Sequence, residues 1–211
     1  MSKRAIYELR TYVLKPTKIA DYIKLTNSKF HLRTSHSILN GFWFHELGGK
    51  LNAATHIWEY ENLSARAQVR ANLGGDSGWI SEYVKDLLPC LESQENKVCV
   101  IPDWAEGISD FSNEKAQAKQ KDGSGIFELV SIKKSSKNAN PESIKNIVQK
   151  ILADNDKIDF TGCLETVLGE NGEYVLLFRH ENVDSTLDNA GVFCDEQKST
   201  VMLPAAWSPM K

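Results

Sequence analysis

Apolar and polar residues alternate with period two over 6–14. Tyr7, Leu9, Thr11 and Val13 fall on one side, and Ile6, Glu8, Arg10 and Tyr12 on the other, which predicts a strand. Pro16 suits a first helical turn. Ile19, Tyr22, Ile23, Thr26 and Phe30 then recur at helical spacing, predicting a helix that ends near Asn40-Gly41. Strands are expected over 41–47 and 55–60, joined by the Gly-rich turn Gly48-Gly49-Lys50-Leu51-Asn52. Ser64 is placed to cap a helix through Arg66, Val69 and Leu73. Gly74-Gly75 interrupts it, a helical pattern resumes over 79–88 up to Pro89, and a fourth strand follows over 97–101. The order is β-α-β-β-α-β, that of ferredoxin-like modules.

The pattern then returns. Ile6-Tyr7-Glu8-Leu9 is answered by Ile126-Phe127-Glu128-Leu129, 120 residues on. Gly41-Phe42 with Leu47-Gly48 is answered by Gly162-Cys163 with Leu168-Gly169, and Ile57-Trp58 with Glu61-Asn62 by Leu177-Phe178 with Glu181-Asn182. Each half closes on an apolar strand, a Pro and a Trp: Ile101-Pro102 with Trp104, then Leu203-Pro204 with Trp207. Ordered matches at near-constant offset indicate a tandem duplication. The second copy predicts strands over 126–132, 160–168, 173–180 and 200–203. It also predicts a helix from Asn140-Pro141 with the stripe Ile144, Ile147, Val148, Ile151 and Leu152. From Glu61 to Pro102 is 41 residues but from Glu181 to Pro204 only 23, so the second copy has room for only a short second helix. The expected organisation is a first unit over 1–104, a charged Lys/Gln-rich linker over 105–124, and a second, shortened unit over 125–211. The expected fold class is α+β, two tandem ferredoxin-like units.

A four-stranded sheet with helices on one face must cover the other. Two copies can pack sheet to sheet and close a barrel with the helices outside. With Tyr7, Leu9 and Val13 assigned to the helices, Glu8, Arg10 and Tyr12 of the first strand and His56, Trp58 and Tyr60 of the third point between the sheets. Charged and imidazole groups there need partners or water, so these six residues are the candidate ligand pocket. The plain alternative is that Glu8 and Arg10 pair with each other or with a neighbouring strand. Arg10 is Val130 in the second copy, His56 is Leu176 and Tyr60 is His180, which places any pocket chemistry mainly in the first.

Composition narrows the picture. The 211 residues carry a net charge of −3 and are 41% hydrophobic, giving no general attraction to nucleic acid or anionic membrane. No run approaches the roughly 18 apolar residues of a membrane span. The N-terminus shows no presequence, so the chain is expected to be cytoplasmic, or a mature form with its targeting segment removed. Cys90, Cys99, Cys163 and Cys194 are scattered and expected reduced. Neither a P-loop nor a G-x-S-x-G elbow occurs. His31 and His36 are off a common helix face, and His45 and His56 have no Cys or carboxylate at ligand spacing, so no metal site or cofactor is expected. Trp43, Trp58, Trp79 and Trp104 are expected in the core or its seams.

A series of short motifs resembles the NIPSNAP family. It comprises Tyr7-Glu8-Leu9-Arg10-Thr11-Tyr12 with Leu14-Lys15-Pro16, His31-Leu32-Arg33-Thr34-Ser35-His36-Ser37, Gly41-Phe42-Trp43, Glu46-Leu47-Gly48-Gly49 with Leu51-Asn52, His56-Ile57-Trp58-Glu59-Tyr60, Arg66-Ala67 with Val69-Arg70, and the closing Ser208-Pro209. The match is dense over 6–104, looser over 125–211, and most similar to the homologue 3 branch. The resemblance implies a dimeric α/β-barrel body met within one chain. It implies a non-enzymatic, mitochondria-associated adaptor whose partners are autophagy or vesicle-traffic proteins, with a homodimer left open. The alternative is a small-molecule-binding or monooxygenase-like barrel, since dimeric α/β barrels include haem-degrading and quinol-type monooxygenases.

Overall fold

The computed structural model describes residues 4–111, 125–135, 139–169, 172–189, 192–193 and 197–211. The alternating segments form eight strands: β1 (Ile6–Leu14), β2 (Ile38–Leu47), β3 (Ala53–Tyr60), β4 (Leu91–Val100), β5 (Ile126–Lys133), β6 (Ile158–Leu168), β7 (Glu173–His180) and β8 (Lys198–Pro204). They close into one barrel in the order β1-β3-β2-β8-β5-β7-β6-β4, and every pairing is antiparallel. The order β4-β1-β3-β2 in the first half is repeated by β8-β5-β7-β6 in the second. The halves meet at two seams, β2 with β8 and β4 with β6. β2 and β6 carry register shifts at corresponding places, Leu39/Gly41 and Phe160/Gly162.

Five helices are named here: α1 (Ile19–Lys29), α2 (His31–Thr34), α3 (Leu63–Gly75), α4 (Lys85–Leu87) and α5 (Pro141–Asp154). The first helical stretch ends at Thr34, short of the expected Asn40, because β2 already begins at Ile38. α3 is capped by Asn62, whose side chain accepts from the Ala65 N–H, and not by Ser64. Residues 79–88 do not form one α-helix. Trp79–Val84 is π-helical and is followed by α4 and a 3-10 turn, Leu88–Cys90. β4 starts six residues before the expected 97, since its polar stretch pairs along β1. In the second half the place of α3 is taken by the 3-10 turn Asp184–Asn189, in line with the short spacing there.

Three apolar clusters fill the molecule. One lies inside the barrel and takes side chains from all eight strands: Tyr7 and Leu9, Trp43, Ile57, Cys99, Phe127, Leu164, Val175 and Leu177, and Met202. An eight-stranded barrel is just wide enough for such side chains to fill. The other two lie outside, one under the helices of each half. The expected facing of β1 is therefore reversed. Tyr7 and Leu9 point into the barrel, and Glu8, Arg10 and Tyr12 point toward the helices. Residues 6–9 are buried on both faces, so alternation alone could not say which face was inside.

The closing Trp residues cross over. Trp207, after β8, packs on Phe30, Phe42 and Phe44 of the first half. Trp104, after β4, packs edge-on to Tyr174 of the second. Each crossing tail also caps a bulge: Ser208 Oγ accepts from the Phe42 N–H at 2.9 Å and Ser109 Oγ from the Cys163 N–H at 3.0 Å. Beyond Ser109, Phe111 enters the barrel interior, so the start of the expected linker is core; 112–124 lie outside the described residues. A Cβ on Gly162 would come within 2.6 Å of the Phe111 ring, which explains glycine there.

Candidate functional site

The six candidate residues come together, but not between the two sheets. They lie on the outer face of β1 and β3, beneath α1, α2, α3 and the π-helical turn. Cross-strand register sets Arg10 opposite His56 and Glu8 opposite Trp58.

Glu8 is 1% exposed and serves as a hub. Its Oε1 accepts from Arg66 at 2.6 Å, Asn96 at 2.8 Å and Arg10 at 3.1 Å, and its Oε2 accepts from the Tyr60 hydroxyl at 3.3 Å. Burial alone would raise its pKa. The Arg66 hydrogen bond, the Arg10 charge and the Asn96 hydrogen bond overcome that and hold it at about 2. Arg10 also donates to the Tyr12 hydroxyl at 3.2 Å and to Gln94 Oε1 at 3.1 Å.

His56 is 3% exposed. Its ring stacks on Phe42 at 4.8 Å and meets the Tyr12 edge at 4.7 Å. Nδ1 accepts from the indole N–H of Trp58 at 2.5 Å, which leaves the proton on Nε2. Nε2 has no partner among the described residues. Burial, then the charges of Arg10 and Arg33, push its pKa well below the usual histidine value, so the ring is neutral.

Arg33, on α2, completes the cluster. It lies 4.0 Å from the centre of the Trp58 ring, a cation–π contact. It donates to the Tyr60 hydroxyl at 2.8 Å and to Ser37 Oγ.

Arg10, Tyr12, Arg33, His56 and Trp58 form one wall of a cavity of about 300 Å³, and Glu8 and Tyr60, expected to line it, stand behind that wall. The opposite wall is apolar, with Phe30, Trp79, Tyr83 and Leu87 among its residues. Trp79 stacks on Tyr83 at 4.8 Å across the π-helical turn, a distortion often found at functional sites. Arg70, Gly74, Ile80 and Leu88 are exposed and mark the mouth.

Sequence reasoning missed Arg33, Arg66, Asn96 and the helical wall. For Arg66 a signal existed: it shares one helical stripe with Val69 and Leu73, at i, i+3 and i+7. Arg33 carried no such signal, because α2 is one turn long. Of the other histidines, His36 pairs with Asp76 at 3.1 Å and His45 with Thr55 at 2.8 Å. Among the described residues no His, Cys, Asp and Glu gather as a metal site. Cys90, Cys99 and Cys163 are free and buried; Cys194 lies outside the described residues. No described helix is long and apolar enough to cross a membrane.

Comparison with known proteins places this geometry. Residues 7–106 match the NIPSNAP family model. Human NipSnap homolog 3A is 36% identical over 100 residues, which cover 47% of this chain and 40% of that protein. The matched stretch is thus less than half the length of homolog 3A. Mouse NipSnap homolog 3B is 25% identical over 229 residues, covering 100% of this chain and 87% of that protein. Among solved structures, a chlorite dismutase variant from Candidatus Nitrospira defluvii aligns over 96% of this chain and 92% of that chain, with a TM-score of 0.58 and 10% identity. That likeness is one of fold. The first half of the chain is a NIPSNAP domain, and the whole chain is homologous to NipSnap homolog 3B.

Proposed function

We propose that this NIPSNAP-family chain is a small-molecule-binding protein whose site is the cavity between the first-half sheet and its helices. The observation that carries the reading is an unfilled, mixed polar and apolar cavity of about 300 Å³ beside a π-helical turn, within the size range of ligand sites. Binding fits the groups better than proton transfer does. The Glu8 carboxylate is occupied by four donors. The basic nitrogen of His56 is taken by Trp58. Neither is free to act as a general base near neutral pH.

The test is a fragment screen by thermal shift and native mass spectrometry, on the wild type and on Gly74→Leu. Gly74 lines the mouth and a Cβ there meets no atom within 4 Å, so a side chain can be started at that point without a clash. Binding to the wild type that Gly74→Leu removes supports the site. Absence of any bound fragment, or binding untouched by the leucine, sinks it.

The adaptor reading is the second proposal: mitochondria-associated, recruiting autophagy or vesicle-traffic proteins. It is favoured by Leu63, Ile80 and Leu88, apolar side chains that are 52%, 45% and 52% exposed on the helical layer. A homodimer through that layer belongs to the same reading. Loss of partner capture on Leu63→Ser/Leu88→Ser, with the melt unchanged, would support it. The two-unit division, 1–104 and 125–211, as duplicated ferredoxin-like units is likewise proposed, supported by the repeated strand order.

A further inference from the structure

The cavity wall is unbalanced in a way that specifies its ligand. Among the described residues, three guanidinium groups line it, Arg10, Arg33 and Arg70, and no carboxylate does. Glu8, behind the wall, is shared between Arg10 and Arg66. Arg33 is 8% exposed and has no carboxylate within ion-pair distance among the described residues; its partners are two hydroxyls and the Trp58 face. A buried cation whose direct contacts are all neutral is costly; Glu8 reaches Arg33 only through the Tyr60 hydroxyl. Beside it, the Nε2–H of His56 is a buried donor without an acceptor, which carries its own desolvation penalty. The two groups are linked through one indole: Arg33 lies over the Trp58 ring, and the Trp58 N–H holds His56. Among the described residues, the cavity lining thus carries a cation with no carboxylate contact and a ring N–H with no acceptor.

Resting on the binding reading above, we propose that the ligand is a small amphipathic carboxylate. Its anionic head docks against Arg33 and the His56 N–H, and its flat or acyl body lies along Phe42, Trp79 and Tyr83. A carboxylate supplies what both groups lack, an acceptor and a negative charge, in one planar unit. The size is bounded: about 300 Å³ corresponds to roughly ten water volumes of about 30 Å³ each. That is room for a bicyclic acid or a medium-chain acid within the cavity. A phosphate monoester is a less suitable head, because only one of the two anchoring groups is a cation.

The experiment compares three probes of one shape, 1-naphthoate, 1-naphthylmethanol and 1-naphthylmethylamine, by calorimetry and quenching of tryptophan fluorescence. The wild type is expected to bind the acid at least tenfold tighter than the alcohol and to bind the amine weakest. Arg33→Met is expected to abolish that preference, and Arg33→Lys, which keeps the charge, to retain part of it. Should Arg33→Met fold poorly, as its melt would show, His56→Leu is the second variant and is expected to weaken the acid selectively. Equal or tighter binding of the alcohol or amine overturns the anion assignment while the cavity stands as a ligand site. So does binding of none of the three when the fragment screen succeeds. If the acid is preferred but Arg33→Lys, Arg33→Met and His56→Leu all leave the preference intact, the anion is held elsewhere and the assignment to this wall is wrong.

Discussion

The two halves share strand order, bulges and crossing tails, yet their outer chambers have opposite chemistry. Under the first-half helices stand Arg10, Tyr12, His56 and Trp58; at the corresponding places 120 residues on stand Val130, Ile132, Leu176 and Phe178. The second set is fully buried with Ile144 and Val148 of α5 and with Phe193, in one apolar cluster. Glu128 repeats Glu8 but meets a different neighbour: His180 Nε2 lies 3.1 Å from its Oε2, and Ser185 Oγ lies 3.0 Å from His180 Nδ1. A 3-10 turn stands in place of α3, the helix that carries Arg66 in the first half. The scaffold therefore does not require a polar chamber, and it packs without counterparts of Arg10 and His56 in the second half. A protein that retains costly buried donors in one half, and a packed core at the same positions in the other, is consistent with selection of the first for binding.

The largest effect should come from what the halves share. Trp43 is fully buried inside the barrel and packs on Phe127 across the seam at 5.3 Å. Trp43→Ala should cost about 3–5 kcal/mol. Urea unfolding followed by fluorescence and by far-UV dichroism should give one shared, earlier transition. Two separated transitions in the wild type would show that the halves are independent units, and the comparison would lose its common scaffold.

Glu8 distinguishes the halves next most strongly. Its pKa is lowered from 4.5 to about 2, so its contribution is complete above about pH 4.5 and fades as pH falls toward 2. At roughly 1.4 kcal/mol per unit, the shift corresponds to about 3 kcal/mol. Wild-type stability should fall across that window relative to Glu8→Gln, which lacks the titrating carboxylate. Parallel pH profiles for the two proteins would show that the four donors do not stabilise the charge.

The crossing tails predict equality instead. Ser109 and Ser208 accept from equivalent buried N–H groups, and replacing either by Ala should cost about 1–2 kcal/mol. A marked asymmetry in denaturant midpoints, with only one serine mattering, would limit the structural correspondence to the strands.

Much of this was legible in the sequence. Period-two alternation located the first strand, turn signals and the internal repeat located the others, and the spacing from Glu181 to Pro204 left room for only a short helix. The six residues of the chamber were found as a set because alternation gathers residues of one parity. Their facing was not legible. Strands sandwiched between a barrel interior and a helical layer are buried on both sides, and neighbouring Tyr7 and Glu8 are both buried. Polarity then suggested a wet space between the sheets, whereas Trp43, Phe127 and Met202 fill it. The roles of Ser109 and Ser208 were invisible for another reason: each depends on a tail crossing to the other half, which no local pattern encodes.

The smallest net effect should come from converting the first chamber toward the second. His56→Leu alone strands the buried indole N–H of Trp58, and Trp58→Phe alone strands Nδ1 of His56, since the two groups satisfy each other at 2.5 Å. Each single change should cost about 1–3 kcal/mol. The double change restores the Leu176 and Phe178 pair of the second half and removes both polar partners, together with the unpartnered Nε2–H. Its stability should lie within about 1 kcal/mol of wild type, because replacing both members of a buried pair by apolar groups is close to neutral. The coupling between the sites should then exceed about 1 kcal/mol in a double-mutant cycle. If the double variant is instead as unstable as the sum of the singles, the pair does not act as a unit. His56 and Trp58 would then be core residues each held by its own packing, and the difference between the chambers would not reside in their polar pairing.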